Sequence, residues 1–139
     1  MKVLRMGVVG STSFNDYEFL KRILNPYLNL YKTKLILVSG GAPGADKLGE
    51  NWANENNIEK DIYYADWYNL SVKPCKIKKN KKGKLYNVLA GFNRNKEIVN
   101  NSDIIIAFWN GQSPGTEDTI NYARSKGIEP VIHYFIDKF

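Results

Sequence analysis

The sequence lacks the features of several protein classes. It has a single cysteine, Cys75, among 139 residues, so no disulfide forms within the chain and a reducing cytoplasm is the expected location. No apolar run approaches the ~18 residues that a membrane-spanning helix requires. The opening residues, "MKVLRMGVVG", are typical of a first β-strand and lack the long apolar stretch of a signal peptide. We therefore expect one cytoplasmic domain over residues 1–139, with no membrane partner.

Two common nucleotide-binding motifs are also absent. No segment matches GxxxxGK[ST], and "GVVGSTS" has the wrong spacing for the dinucleotide-binding pattern GxGxxG. A P-loop NTPase and an ordinary nicotinamide dehydrogenase are therefore not expected. No spacing of histidine, cysteine and carboxylate residues indicates a metal site, and the sequence predicts no cofactor.

Acidic residues are missing from the segment that makes the chain basic. The net charge is +6, and seven lysines lie between Lys73 and Lys84, so the chain without them would carry −1. The basicity therefore belongs to one lysine-rich loop at 71–87, where "NKKG" is typical of a hairpin turn. Three roles fit this loop: a solvated surface segment, a lid over an anionic ligand, or a contact with nucleic acid, whose phosphates attract lysines.

The sequence alternates short apolar runs with segments in which apolar residues recur at helical spacing. Their order, βαβαβ-loop-αβαβ, predicts an α/β fold: a Rossmann-like three-layer sandwich with a five-stranded parallel sheet. Ligands of such sheets bind beyond the carboxyl ends of the strands, near the topological switch point. The expected strands are 3–9, 34–39, 60–65, 103–109 and 130–135, and the expected helices are 17–31 with a break at Pro26, a helix ending near Asn56, 91–101 and 116–126.

A glycine-rich loop, "SGGAPGAD", leaves the second strand and opens a helix. Gly40, Gly41 and Gly44 allow an anion to approach the backbone, and the start of a helix is electropositive. Ser39 adds a hydroxyl, and Asp46 would cap the helix or accept a hydrogen bond from a ribose hydroxyl. The loop is therefore predicted to wrap a phosphate; the alternative is a tight strand–helix turn without a ligand.

A second loop, "SPGTED", repeats this arrangement after the most apolar strand. Pro114 and Gly115 shape the turn, and Thr116 would cap the helix or bind an anion. Two such helix starts at one edge of a sheet favour a phosphate-bearing ligand.

Taken together, these motifs resemble the SLOG superfamily of Rossmann-like nucleotide-binding proteins. The motifs are "VVGSTSFND", "SGGAPGAD", "ADW", "FNRNKEIVNNSDIIIAFWNG" and "SPGTEDTI", and the similarity, greatest to the stand-alone YspA-type branch, covers roughly residues 3–135. The resemblance implies a nucleotide or nucleotide-derived ligand. From the motifs and their resemblance we expect the ligand-binding residues to be Gly10, Ser11, Ser39, Gly40, Gly41, Gly44, Ala45, Asp46, Arg94, Asn110, Gly111, Ser113, Gly115, Thr116 and Thr119.

Relatives in the same superfamily suggest two alternative functions. The lonely-guy phosphoribohydrolases cleave the bond between base and ribose of nucleoside monophosphates, and Arg94 falls on their motif arginine. Their catalytic glutamate position is occupied by Thr119 here, so an N-glycosidase would need Asp118, Glu117 or Asp46 as its carboxylate. Arg94 and Asp118 are the candidate catalytic residues of that alternative. The DNA-processing branch suggests the other alternative, a protein that binds single-stranded nucleic acid.

The aromatic residues support a prediction about assembly. The chain has 18 of them, more than a small core needs, and aromatic residues are enriched at interfaces. We expect a homodimer or larger homo-oligomer that uses helices 91–101 and 115–126; the alternative is a monomer with half-buried tyrosines. Trp67 and Trp109 could stack on a base or pack as wall residues, and His133 is expected to be structural.

Overall fold

Five parallel strands form the central sheet of the protein, whose computed structural model describes residues 2–137. The sheet order is β3-β2-β1-β6-β7, which confirms the predicted fold class. In chain order the elements are β1 (Lys2–Gly10), α1 (Tyr17–Leu24), a 3₁₀ helix (Asn25–Asn29), β2 (Thr33–Ser39), α2 (Ala45–Glu55), β3 (Glu59–Ile62), β4 (Ile77–Lys79), β5 (Leu85–Asn87), α3 (Ala90–Asn100), β6 (Ile104–Trp109), α4 (Pro114–Ser125) and β7 (Val131–Tyr134).

Helices cover both faces of the sheet, because successive side chains of a strand point to opposite sides. Met6 and Val8 of β1 join one core with residues of α1 and α2, including the fully buried Trp52. Val9 joins a second core with residues of α3 and α4. The continuous apolar runs of the central strands therefore fill two cores at once.

The helix boundaries differ from the sequence expectations where local chemistry intervenes. The helix expected over 17–31 ends at Leu24 and continues as the 3₁₀ helix, because Pro26 has no N–H to donate. Asp16 caps α1 by accepting the Phe19 N–H at 3.1 Å. The last helix begins at Pro114, and its N-cap is Ser113 rather than Thr116. Proline suits this first position because its missing N–H would have no helical partner there.

The lysine-rich loop contains a small antiparallel hairpin formed by β4 and β5. Its turn is tied by Asn80, whose Oδ1 accepts the N–H groups of Lys82 and Lys84, each at 2.9 Å. The "NKKG" turn predicted from the sequence is thus present, on a two-stranded sheet separate from the main one.

The topological switch point lies between β1 and β6. These strands are neighbours in the sheet, but α1 leads from β1 to β2 on one side and α4 leads from β6 to β7 on the other. The loops that follow β1 and β6 therefore diverge and leave a crevice, as in other doubly wound sheets. Within residues 2–137, no helix has the length and apolar character needed to cross a membrane.

Candidate functional site

A cavity of about 330 Å³ lies at the switch point, beyond the carboxyl ends of β1 and β6. This volume is in the range of small-molecule sites. The lining residues come from the end of β1 and the loop after it, from the loop after β2 and the start of α2, from the segment before α3, from α3, and from the loop after β6 and the start of α4: Val9, Gly10, Ser11, Thr12, Ala42, Asp46, Trp67, Val88, Gly91, Phe92, Arg94, Asn95, Ile98, Ser113, Pro114, Gly115, Thr116 and Thr119.

Three hydroxyl groups form one side of the cavity. The Oγ atoms of Ser11 and Ser113 lie 2.7 Å apart in a hydrogen bond, and Ser113 Oγ donates to Thr116 Oγ1 at 3.3 Å. Ser11 and Thr116 are buried. Ser113 is the N-cap of α4, yet its side chain makes no capping bond to the helix. The first turn of α4 therefore keeps its backbone donors free of a side-chain cap beside the hydroxyl cluster.

Arg94 enters the cavity from α3 and is fixed by two protein acceptors. Its Nη1 donates to the Gly40 carbonyl at 2.5 Å, and its Nε donates to Asn95 Oδ1 at 3.1 Å. Nη2 has no acceptor among the described residues, although this nitrogen carries two donors. The guanidinium is thus held in place while part of its donor capacity is available to a ligand.

Asp46 is a buried carboxyl group in the first turn of α2. It is only 5% exposed and lines the cavity. Its Oδ2 accepts the Ala42 N–H at 3.2 Å. Burial is the main cause that raises the pKa of Asp46 to about 6, and the Ala42 hydrogen bond and the charge of Arg94 oppose this rise. Asp46 therefore changes its charge near neutral pH, which is unusual for an aspartate.

The glycine-rich loop serves close packing inside the protein. Gly44 has φ of +83°, and a Cβ there would collide with the Ser11 carbonyl oxygen. At Gly40 a Cβ would lie 2.8 Å from both Arg94 Nη1 and Asp46 Oδ2. Two backbone donors of the loop are already engaged, because the N–H of Ala42 donates to Asp46 and that of Gly41 to Ser39 Oγ at 3.4 Å. The Asp46 carboxylate thus occupies a place at the helix start where an external anion would bind.

Of the three carboxylates that the N-glycosidase alternative could use, one lines the cavity and two lie outside it. Thr119, at the expected glutamate position, is buried, lines the cavity, and donates from Oγ1 to the Gly115 carbonyl at 3.2 Å. Asp118 accepts from Asn95 Nδ2 at 3.3 Å and does not line the cavity. Glu117 is exposed and also lies outside it. Asp46 is the carboxyl group that lines the cavity.

The structure brings together about half of the residues predicted from the sequence. The lining includes eight of them: Gly10, Ser11, Asp46, Arg94, Ser113, Gly115, Thr116 and Thr119. The others lie behind or beside the lining: Ser39, Gly40, Gly41, Gly44, Ala45, Asn110 and Gly111. Ser39, for example, is fully buried and donates to Glu50 Oε2 at 2.7 Å, beneath the cavity wall.

Two aromatic side chains contribute to the cavity, one from the segment between β3 and β4 and one from the first turn of α3. Trp67 is 41% exposed and Phe92 is 37% exposed, and both rings line the cavity. Sequence reasoning missed Phe92, although it precedes Arg94 by two residues on α3. Trp109 does not line the cavity; its Nε1–H donates to the Ser113 carbonyl at 3.1 Å and fixes the loop.

The chain is similar to a family model and to a phage protein. Residues 4–69 match the model of the YspA, cpYpsA-related SLOG family, YAcAr. The chain is 29% identical over 136 residues to the Gene 61 protein of Mycobacterium phage D29, a match that covers 94% of this chain and 95% of the phage protein.

A solved structure has the same fold at low sequence identity. The X-ray structure of DNA processing protein A (DprA) from Streptococcus pneumoniae superposes with a TM-score of 0.69 and 19% identity over 94% of this chain. The present chain spans half the length of that protein. The match of residues 4–69 to the family model, together with this shared fold, confirms the resemblance to the SLOG superfamily that the motifs indicated.

Proposed function

We propose that the protein binds a nucleotide or nucleotide-derived ligand in the cavity at the switch point. The observation that carries this proposal is the set of groups lining a single cavity: a guanidinium with free donors, three hydroxyls beside a helix start, and two partly exposed aromatic rings. Binding sites for small molecules commonly combine apolar walls with a few convergent polar groups.

The phosphate of the ligand belongs near Arg94 and the start of α4. A guanidinium binds phosphate oxygens through two parallel N–H donors, and a helix start favours an anion through its free N–H groups. The glycine-rich loop is the less favourable place, because Asp46 already accepts one of its donors. Asp46 suits a neutral donor instead, such as a ribose hydroxyl.

The base belongs near Trp67 and Phe92. Every nucleobase has a π face that stacks on an aromatic ring, so these rings bind a base without requiring a particular one. Such a site favours nucleotides over inorganic phosphate.

Calorimetry with a panel of nucleoside mono- and diphosphates, ADP-ribose and cyclic dinucleotides tests the proposal. We expect at least one compound to bind and to raise the melting temperature, since a ligand at 100 times its Kd stabilises the folded state by about 2.7 kcal/mol. Ser113→Ala should weaken that binding. Ser125→Ala, at the other end of α4, should leave it unchanged. A panel that gives neither heat nor a shift in melting temperature would contradict the proposal.

A second candidate function is hydrolysis of the N-glycosidic bond of a nucleotide. It is favoured by Asp46, a carboxyl group that lines the cavity and has a pKa raised to about 6, within the range useful for general acid–base catalysis. Chromatography for free base after incubation with nucleoside monophosphates tests it. Base release that is lost in both Asp46→Asn and Arg94→Gln would support an enzyme, whereas binding without release would leave the protein a binder.

A further inference from the structure

The lysine-rich hairpin forms a strongly charged surface beside the cavity. All seven lysines of residues 73–84 are exposed, and none forms an ion pair with a described residue. Between Ile62 and Lys96 the sequence has a single acidic residue, Asp66. This surface therefore presents a positive charge that the rest of the described structure leaves unneutralised.

The hairpin is attached firmly to the cavity wall. Asn87, at the end of β5, is completely buried, and its Oδ1 accepts the N–H groups of Lys76 and Leu89, each at 3.0 Å. Its own N–H donates to the Trp67 carbonyl at 2.7 Å. Asn93 of α3 adds a hydrogen bond from Nδ2 to the Pro74 carbonyl at 3.0 Å. The lysines thus sit on a fixed platform next to the cavity.

Exposed aromatic rings accompany the lysines. Tyr68 is 53% exposed, and Lys84 Nζ lies 3.8 Å from the centre of its ring. Trp67 is also exposed, and its ring meets the Tyr86 ring of β5 edge to face at 6.4 Å. A protein that binds a single strand regardless of its sequence requires aromatic rings on which bases stack and cations that contact the phosphate backbone. Exposed rings beside lysines supply both.

We propose that the surface formed by the hairpin and the rings of Trp67 and Tyr68 binds single-stranded nucleic acid. Charge alone would attract any polyanion, but base-paired strands keep their bases stacked inside the duplex, where these rings cannot reach them. The surface shares the Trp67 ring with the cavity, but Tyr68 and the lysines lie outside the cavity lining, so the proposal goes beyond the cavity and does not depend on what the cavity binds.

Fluorescence anisotropy with a labelled 20-nucleotide oligothymidylate tests this proposal over a range of salt concentrations. The test variant replaces Lys78, Lys79 and Lys81 with glutamine. The control variant replaces the exposed Lys2, Lys32 and Lys126, which gives the same change in net charge away from the hairpin. We expect the test variant to bind at least tenfold more weakly. The slope of log K against log[salt] should be smaller in magnitude by about two, because three lysines are replaced and each phosphate contact on a single strand contributes roughly 0.7 to that slope.

The control variant should bind nearly as well as the wild type, and Tyr68→Ser should weaken binding without changing the salt dependence. Equal losses in the two lysine variants would overturn the proposal, as would equal affinity for a duplex of the same length or competition by inorganic polyphosphate at equal phosphate concentration. Calorimetry of the same variants with the panel of nucleotides, ADP-ribose and cyclic dinucleotides keeps the two proposals separate. A protein that binds a compound of the panel but no oligonucleotide contradicts only the surface. A protein that binds the oligonucleotide but no compound of the panel contradicts only the cavity.

Discussion

Asn110 and Asp137 are joined by a hydrogen bond in which Asn110 Nδ2 donates to Asp137 Oδ2 at 2.8 Å. Ser13 Oγ donates to the other carboxylate oxygen at 2.6 Å, so one side chain links the loops that follow β1 and β6. These two bonds hold the pKa of Asp137 below its usual value. Asn110 Oδ1 in turn accepts the N–H groups of Gln112 and Ser113, at 2.9 and 2.8 Å. A residue near the end of the chain thus supports the loop that carries Ser113 into the cavity.

Replacing Asp137 with alanine should loosen this loop while leaving the sheet intact. Without the carboxylate, Asn110 loses the acceptor that orients it, so the Gln112 and Ser113 amides should exchange with solvent several-fold faster in NMR hydrogen-exchange measurements. Glu129→Ala, which removes an exposed carboxylate paired with Arg124, is the control. Unchanged exchange at both amides would show that Asp137 does not support the loop.

Stability should fall as the pH rises through about 6, because of Asp46. Its folded-state pKa, about 6, lies above the ordinary aspartate value of 3.8, so the folded state holds this proton more tightly than the unfolded state does. The contribution is fully present below about pH 3.8 and is lost as the pH passes about 6. Its size is at most roughly 3 kcal/mol, because a tenfold difference in proton affinity corresponds to about 1.4 kcal/mol. Urea unfolding of the wild type and Asp46→Asn at pH 5 and 7.5 measures the part that is lost above pH 5, about 1.4 kcal/mol, and an equal pH dependence in both would contradict the assignment.

Gly44→Ala should destabilise the fold by roughly 2 kcal/mol or more. A positive φ costs about 1 kcal/mol or more for alanine, and the added Cβ would collide with the carbonyl oxygens of Ser11 and Thr12. Gly115→Ala is the matched control, because a Cβ at this helical position meets nothing within 4 Å. That substitution should be neutral or stabilising by up to about 1 kcal/mol. Denaturant unfolding compares the two, and equal stabilities would refute the packing role of Gly44.

The predicted homodimer remains to be tested. Six aromatic side chains are exposed on the described chain: Tyr31, Tyr64, Trp67, Tyr68, Phe92 and Tyr134. Phe92 lies on α3, one of the two helices expected at the interface. Light scattering at micromolar concentration should give twice the mass of 15.9 kDa or more, and Phe92→Ser should shift the protein toward monomer. A monomeric mass at all concentrations, with and without nucleotide, would contradict the prediction.

The sheet could be predicted because its strands have strong local patterns. "LILVS" and "DIIIAFW" are continuous apolar runs, and such runs form strands that are buried on both faces. The helix starts were also identified from local patterns, since glycine, proline and serine at the end of a strand are typical of a turn that leads into a helix. Their boundaries shifted by one or two residues, which depends on capping bonds that a pattern does not show.

The lining of the cavity could be predicted only in part. Asp46 was expected to cap a helix or contact a ribose, but whether its carboxylate takes up the donors of its own loop depends on the folded loop conformation. Trp67 lies between β3 and β4, and its carbonyl accepts the Asn87 N–H, a bond between residues distant in sequence. Phe92 lies on α3, and the periodicity of a helix alone does not show which of its side chains line a cavity. Side chains placed by such tertiary contacts leave no local signal.

The claim that the cavity holds a phosphate on Arg94 is tested most directly by comparing a nucleotide with its nucleoside. Calorimetry would measure the tightest-binding nucleotide of the panel and the matching nucleoside against the wild type, Arg94→Gln and the surface control Arg124→Gln. We expect Arg94→Gln to weaken nucleotide binding roughly tenfold to a hundredfold, as for the loss of a charge-assisted hydrogen bond. Nucleoside binding should stay unchanged, and Arg124→Gln should match the wild type. A folded Arg94→Gln protein that binds the nucleotide as tightly as the wild type would contradict the account.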